Sequence, residues 1–528
     1  LTDQKRAFFT QKLEWILDCS PKSLALLCFL IFGLLGLTFG TSDDEAYYWA
    51  VSHHPDWASA YHPGGLIWVL FASRKLFSFL GEFGDLLSIR WLSAGFSALI
   101  VYFSTSWIVD QTSISGDARP APRARGVYFF WFSFFFSVCW MMVPDHLLFL
   151  SLLLLWRETW AYCFSTSSRG GSLARFFFYA VIAMSSKISG VFLVFSAAVS
   201  VLLWGRHQAR WGRALMALTA GATIGLLPTV IWNYQHDWFA VRYQLQIRHA
   251  AGLSLSRFGR FWLIQAILGG PVLWFGLRWL VKKVRDPLAK FAWIWILPPL
   301  LVYGLQPLRA DFKPHWILVA FFPMALVLAA KANELSALAR RVATGYALFF
   351  TLTIFSALVF PWISWLGQRI QGEAWQTKYD VTADLFGWDQ LARYLSEQET
   401  QLGISKPLPV TASWYQAAGQ AGFAVHGARE WTLMPRPIRD RDDWSAIEGA
   451  NDWGVERDSG DPVGGQWPRL KRSVWFVASK RYADPPQYKQ SKCIGPVELG
   501  THRAVFGIQT SLVVGQGFLI WRCEPTES

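Results

Sequence analysis

Residues 22–49 read KSLALLCFLIFGLLGLTFGTSDDEAYYW, an apolar run of membrane-crossing length that ends directly on three carboxylates and three aromatic rings. Crossing roughly 30 Å of hydrocarbon takes about 20 such residues in a helix. The stretch therefore reads as a first transmembrane helix, with Asp43, Asp44 and Glu45 at its outer end. No small-residue cleavage site follows residue 40, so the run is expected to stay in the protein and not to be removed as a signal peptide.

Working outward, residues 86–108, 127–143, 146–163, 214–233, 291–307 and 342–366 are likewise nearly free of charge. With 53% hydrophobic and 17% aromatic residues over 528, this blocked pattern excludes a soluble globular protein. Some runs are short for a span, which implies tilt or pairing. The net charge of +13 does not point to nucleic acid, because the basic residues cluster in short loops between apolar blocks. With the N-terminus inside, alternate loops carry Arg119, Arg123 and Arg125; Arg169 and Arg175; Arg206, Arg210 and Arg213; Lys282, Lys283, Arg285 and Lys290; and Lys331, Arg340 and Arg341. This is the positive-inside pattern, and it predicts about 11 spans if residues 175–204 form two short helices turning near Ser185 and Ser186.

An odd number of spans puts residues 367–528 outside. The expected division is a membrane domain over 1–366, with a first outer loop at 41–85, followed by a periplasmic soluble α/β domain over 367–528. Its signals are an amphipathic helix near 384–399, with Leu385, Trp388, Leu391 and Leu395 on one side, and strand-like runs at 408–413, 473–479 and 511–521. Residues 427–470, rich in Trp, Gly, Pro and charge, read as a long loop. Of the six cysteines, Cys19, Cys28, Cys139 and Cys163 lie in or beside spans, and only Cys493 and Cys523 belong to the outer domain. Spacing leaves open whether these two pair in an oxidising compartment.

Outer loops should be poor in Lys and Arg, yet Arg74, Lys75, Lys187, Arg242, Arg248, Arg257, Arg309 and Lys313 fall there. Some of them can anchor to headgroups or cap helices. A phosphate bound at the outer surface accounts for the rest, since Arg and Lys hold it with charge-assisted hydrogen bonds. Lys187 demands a partner most, because an ionisable side chain in an apolar stretch is costly. Asp145, in the turn Val143-Pro144-Asp145-His146, reaches the same face as Asp44. Either acid could merely cap a helix. Adjacent acids on a helix point in different directions, so only one or two of Asp43, Asp44 and Glu45 can face a common site.

Acids, cations and greasy helices at one face suit sugar transfer from a lipid phosphate. A carboxylate takes the acceptor's proton, and Arg and Lys stabilise the departing phosphate without a metal. His53, His54, His62 and His146 lie near the acids, so a divalent metal ion is a further candidate, although their spacing fits no standard site. No other cofactor is indicated.

The run Asp44-Glu45-Ala46-Tyr47-Tyr48-Trp49, followed by Tyr61-His62-Pro63, resembles the first outer loop of GT-C fold membrane glycosyltransferases, in the superfamily of protein O-mannosyltransferases and aminoarabinose transferases. Pro144-Asp145, Ser186-Lys187 with Gly190, Leu227-Pro228, Trp232-Asn233 and Gln235-His236-Asp237-Trp238 continue the likeness, as do Arg242, Gln244, Arg248, Gly387-Trp388 and Tyr415-Gln416. The resemblance implies a polytopic α-helical GT-C fold and an inverting transfer from a polyprenyl-phosphate sugar to a lipid A-like lipid, a glycan or a protein. The reaction would take place at the periplasmic face of a bacterial inner membrane. It implies Asp44 as base, Asp145 and Glu45 as further acids of the site, and Lys187, Arg248, Arg242 and Lys313 as donor phosphate ligands. Tyr48, His62, Asn233 and His236 would contact substrate. Where aminoarabinose transferases carry an acidic-basic pair before two prolines, this chain has Tyr61-His62-Pro63-Gly64, so that sugar and that phosphate contact are not carried over.

Two other classes of protein share parts of this pattern. A transporter or flippase of a lipid-linked sugar would also bury charge, but transporters bind at the midplane between inverted repeats, and here the charges gather at one face. A ligand-binding sensor would leave the acids of the first loop without a task.

Overall fold

The computed structural model describes residues 20–526 apart from 54, 60, 115–140, 166–171, 237, 243–251, 311, 373–374, 376–379, 381, 413–414, 427–430, 434–454, 457–468, 471–472, 481–484, 487–490 and 506–507. Among the described residues, five helices are long and apolar enough to cross a membrane: Glu82–Gln111, Pro144–Phe164, Trp211–Gln235, Pro287–Leu308 and Ala337–Val359. Leu255–Leu268 and Val272–Lys282, bent by 96°, make a sixth if taken as one. Four shorter apolar helices join them: Pro21–Gly36, Ser172–Ser186, Gly190–Trp204 and Pro314–Ala330. The chain is a polytopic helical membrane protein with a small C-terminal sheet domain. Most of the run at 127–143 lies outside the described residues, as do Arg119, Arg123, Arg125 and Arg169.

In chain order the helices used below are α1 (Pro21–Gly36), α2 (Asp43–Val51), α3 (Gly65–Phe77), α4 (Glu82–Ile114), α5 (Pro144–Phe164), α6 (Ser172–Ser186), α7 (Gly190–Trp204), α8 (Trp211–Gln235), α9 (Leu255–Leu268), α10 (Pro287–Leu305), α11 (Leu318–Ala330), α12 (Ala337–Val359), α13 (Trp362–Gln371), α14 (Trp388–Gln401) and α15 (Tyr415–Val425). The expected turn near Ser185 and Ser186 is present: α6 ends at Ser186, and the Gly190 amide donates to the Lys187 carbonyl at 2.8 Å. The run 342–366 is not one helix. It stops at Val359 and restarts at Trp362, because Pro361 has no N–H with which to continue the ladder. The sequence-based domain division at residue 366 thus falls inside α13.

α5 and α11 form the centre of the bundle. All thirteen residues of α11 are buried, which suits a helix apolar on every side. On α5, Trp156 is fully buried and packs edge-on against Trp107, Phe291 and Trp295, with ring centroids 5.5, 4.7 and 5.5 Å away. Between helices in lipid, such close packing replaces the hydrophobic drive available in water.

The tail contains strands β1 (Val410–Ala412), β2 (Trp431–Leu433), β3 (Val455–Glu456), β4 (Arg469–Leu470), β5 (Val474–Ser479), β6 (Ser491–Val505) and β7 (Ile508–Pro525). Five form one sheet in the order β2-β1-β5-β7-β6, parallel between β2, β1 and β5 and antiparallel from β5 through β7 to β6. α14 and three of these strands overlie the predicted helix and strands. Cys493 stands opposite Cys523 in the β6–β7 register, and the two are joined by a disulfide. Most of the predicted loop at 427–470 lies outside the described residues.

The expected first outer loop, 41–85, is largely helical. It folds into α2 and α3 and enters α4, and it shares a hydrophobic core with the tail. Tyr47, Tyr48, Trp49 and Val51 of α2 are buried in one cluster with Trp388, Leu391, Ala417, Val425, Trp475 and Phe518.

A polar network seals this junction. Arg74 Nε donates to Asp85 Oδ1 at 2.8 Å, Arg74 Nη2 meets His53 Nε2 at 2.6 Å, and His426 Nε2 lies 3.3 Å from Asp85 Oδ2. Burial lowers the His426 pKa, but Asp85, the Phe423 carbonyl and more distant Glu82 outweigh it, and the net shift is upward. A raised folded-state value means that this contribution is complete below about pH 6.5, the ordinary histidine value, and is lost as pH climbs through the elevated one. Thermal stability should therefore fall between neutral and alkaline pH. In His426→Gln the fall should be smaller when melting curves are compared across that range.

Candidate active site

Asp44, Asp145 and Lys187 each sit at or beside a helix end. Ser42 caps α2 in a reciprocal box: its hydroxyl accepts from Glu45 N at 3.4 Å, and Glu45 Oε2 accepts from Ser42 N at 2.9 Å. That box fixes the direction of the three acids. Glu45 turns inward, where Arg90 of α4 donates to Oε1 and Met142 N donates to the same oxygen at 2.8 Å, both partners of the ion pair being fully buried. The expected catalytic role for Glu45 does not fit this geometry, since its carboxylate is committed to the fold. Asp44 is half-buried on another face, four residues before Tyr48.

α5 starts at Pro144, whose missing N–H costs nothing in the first turn, and Asp145 takes the next position, where the helix dipole favours an anion. Lys187, in the break between α6 and α7, donates to both oxygens of Asp145, at 3.0 and 2.9 Å. Lys187 is 5% and Asp145 9% exposed, so each supplies the partner that the other needs. Ser59 N donates to the His62 carbonyl at 2.9 Å, and a Cβ on Gly65 would meet the carbonyl of Ser185, two residues before Lys187, at 2.5 Å. Only glycine allows that approach.

The charges converge. Asp145, Lys187, Asp44 and Lys313 all act electrostatically on His315, and Lys187, His315 and His62 act on Asp145. Burial, then Asp44, Tyr47 and Asp145, push the Tyr48 phenol well above its usual range, so Tyr48 remains a neutral donor. Its ring centroid lies 6.1 Å from that of His62. His315, in the turn Pro314–Ile317, was missed by the sequence reading. Its signal was its place two residues after Lys313, beside a span that begins on the same face.

Asn233 and His236 hydrogen-bond to backbone. Asn233 is buried and turns its side chain onto backbone: Nδ2 donates to the Thr229 carbonyl at 2.9 Å, and Oδ1 accepts from Val241 N at 3.3 Å. His236 stacks on Trp232 with centroids 4.1 Å apart and holds the Trp232 carbonyl at 2.7 Å. Both shape the turn after α8, where Trp232 packs against Ala58 and Tyr61. Arg242 ends the single helical turn Phe239–Arg242 and is exposed, as is Lys313. Arg248, Gln244, Asp237 and His54 lie outside the described residues. Among the described residues no group of three or more His, Cys, Asp or Glu is arranged to hold a metal ion. His53 is engaged with Arg74, and His146 Nε2 meets Ser97 Oγ at 3.1 Å.

A helical bundle carrying acids and cations at one face, joined through a shared core to a small sheet domain, defines a membrane protein of the GT-C fold. The solved structure of ArnT from Cupriavidus metallidurans bound to undecaprenyl phosphate matches it with a TM-score of 0.54, covering 87% of this chain and 92% of that one at 15% identity. In sequence, the chain is 26% identical over 319 residues to lipid A galacturonosyltransferase RgtD of Rhizobium johnstonii, a match over 57% of this chain. It spans 64% of that relative's own length. An oligosaccharyltransferase structure from Archaeoglobus fulgidus aligns at a TM-score of 0.39 and 11% identity, over 77% of this chain and 62% of that one. No family model matches the chain.

Proposed function

We propose that this chain is an inverting glycosyltransferase that moves a sugar from a polyprenyl-phosphate donor to a lipid acceptor of the lipid A type, at the periplasmic face of a bacterial inner membrane. The observation that carries the reading is the Lys187–Asp145 pair, with Asp44, His315 and Lys313 gathered around it at one end of the bundle. The acceptor hydroxyl attacks the anomeric carbon as the bond to the phosphate oxygen breaks. Its proton goes to Asp44, and the electron pair leaves on the phosphate. One displacement inverts the anomeric centre.

In this scheme Lys187, held in place by Asp145, meets the growing phosphate charge without reorganising, and Lys313 and Arg242 supply charge at the rim. The likeness to the lipid A galacturonosyltransferase supports the acceptor class, and the Cys493–Cys523 disulfide suits an oxidising compartment. Charge gathered at one face favours transfer over passage through the midplane.

Reconstitution of the protein with undecaprenyl-phosphate-linked sugars and lipid A, followed by mass spectrometry, tests the reading. A glycosylated lipid supports it, and movement of the donor across the bilayer without any adduct refutes it. Undecaprenyl phosphate alone should bind about 10- to 100-fold more weakly to Lys187→Ala, the equivalent of a lost hydrogen bond to a charged group. The double variant Lys187→Met/Asp145→Asn, which leaves no buried charge alone, should bind as weakly while staying folded. Binding equal to that of the wild type would remove Lys187 from the phosphate site.

A further inference from the structure

One helix of the C-terminal domain, α15, packs along α2. Before the N-terminus of α2, the buried Gln420 Nε2 donates to the Thr41 carbonyl at 3.0 Å and to the Asp384 carbonyl at 2.8 Å, tying α2 to its own domain. At mid-length, Gly419 has no room for a side chain. A Cβ there would stand 2.9 Å from Tyr47 N, 3.0 Å from Ala46 C and 3.1 Å from Ala46 O, all of them backbone atoms that cannot swing aside. Toward the C-terminal end, Phe423 and His426 pack against Trp49 with centroids 4.9 Å away in each case, and His426 reaches Asp85 on α4. Ala417, Ala418 and Ala421 are buried in the same contact.

The other side of α2 is gripped by Arg90 through Glu45, so the helix that carries Asp44 and Tyr48 is clamped between the membrane bundle and the sheet domain. We infer that Gly419 is a positioning residue for the active site, setting through Ala46 and Tyr47 where the Asp44 carboxylate stands. This rests on the functional reading given above for Asp44. A glycine is needed at 419 because side-chain volume there translates directly into displacement of α2, and transfer depends steeply on the placement of its base.

The test uses the full-length protein with Gly419→Ala and Gly419→Val, and with Gly500→Ala as control, since Gly500 in β6 has open space around it. Transfer is read by mass spectrometry of outer-surface lipid from expressing cells. Undecaprenyl phosphate serves as the binding probe, and amide hydrogen exchange reports on residues 43–51. Expected for Gly419→Ala are exchange in 43–51 faster by at least about tenfold and transfer lower by about 10- to 100-fold. Carrier binding should stay within about twofold of wild type, the bundle helices should remain protected, and Val should exceed Ala. Unchanged exchange in 43–51, or wild-type transfer despite faster exchange, overturns the proposal. Asp44→Asn, assayed in parallel, separates the two failures: full transfer there refutes the functional reading itself, whereas the exchange data still decide whether Gly419 places α2.

Discussion

Asp44→Asn is expected to slow sugar transfer by about 10²- to 10⁴-fold, the usual contribution of a general base, while leaving the fold intact. The amide is isosteric and cannot take up the acceptor's proton. Asp44 is half-buried, and the Asp43 side chain accepts from Asp44 N through Oδ1 at 2.8 Å, a contact that the substitution leaves in place. Undecaprenyl phosphate should bind Asp44→Asn as it binds wild type, because the cations that would hold it lie on other elements. Single-turnover measurement of adduct formation checks the first statement and carrier titration the second. A rate within about threefold of wild type would assign the base elsewhere.

Arg90→Met is expected to be the most damaging single change to stability. It leaves the Glu45 carboxylate fully buried, with two backbone donors and no compensating charge, and breaking a buried pair costs about 3–5 kcal/mol. The loss reaches function as well, since Glu45 fixes the start of α2 and Arg90 Nη2 also holds the Gly40 carbonyl at 2.5 Å. Glu45→Gln/Arg90→Met should recover much of the stability, because a neutral amide can keep accepting from Ser42 N and Met142 N. Unfolding curves of the two single variants and the double in one detergent form the required cycle. If the double variant were as unstable as the sum of the singles, the charge pair would not be the source of the effect.

Much of this protein was legible before its structure. Apolar blocks and basic loops gave the membrane class, and Lys187 demanded a partner because an ammonium in a greasy stretch cannot stand alone. That partner, Asp145, is 42 residues away and had been singled out on separate grounds. The period-2 runs in the tail located strands, although the proline at 361 divided a run whose hydropathy alone looked continuous.

Three residues singled out in the sequence are held by contacts that no local pattern records. Glu45, Asn233 and His236 are residue types that catalyse and bind, and each lies near a helix end. Which way a side chain points from a helix end depends on what packs against it. Arg90, 45 residues later, claimed Glu45, while the Thr229 and Trp232 carbonyls claimed Asn233 and His236.

By itself the sequence determined the membrane fold class and the need of Lys187 for a partner, because hydropathy and the cost of buried charge act through local composition. Only the tertiary structure decided that Asp43–Val51 and Gly65–Phe77 are helices sharing a core with the tail, that Cys493 pairs with Cys523, that His315 lies within the field of Asp145 and Lys187 and that Gly419 faces the backbone of α2. Those outcomes depend on contacts between segments up to several hundred residues apart, whose packing no local pattern records.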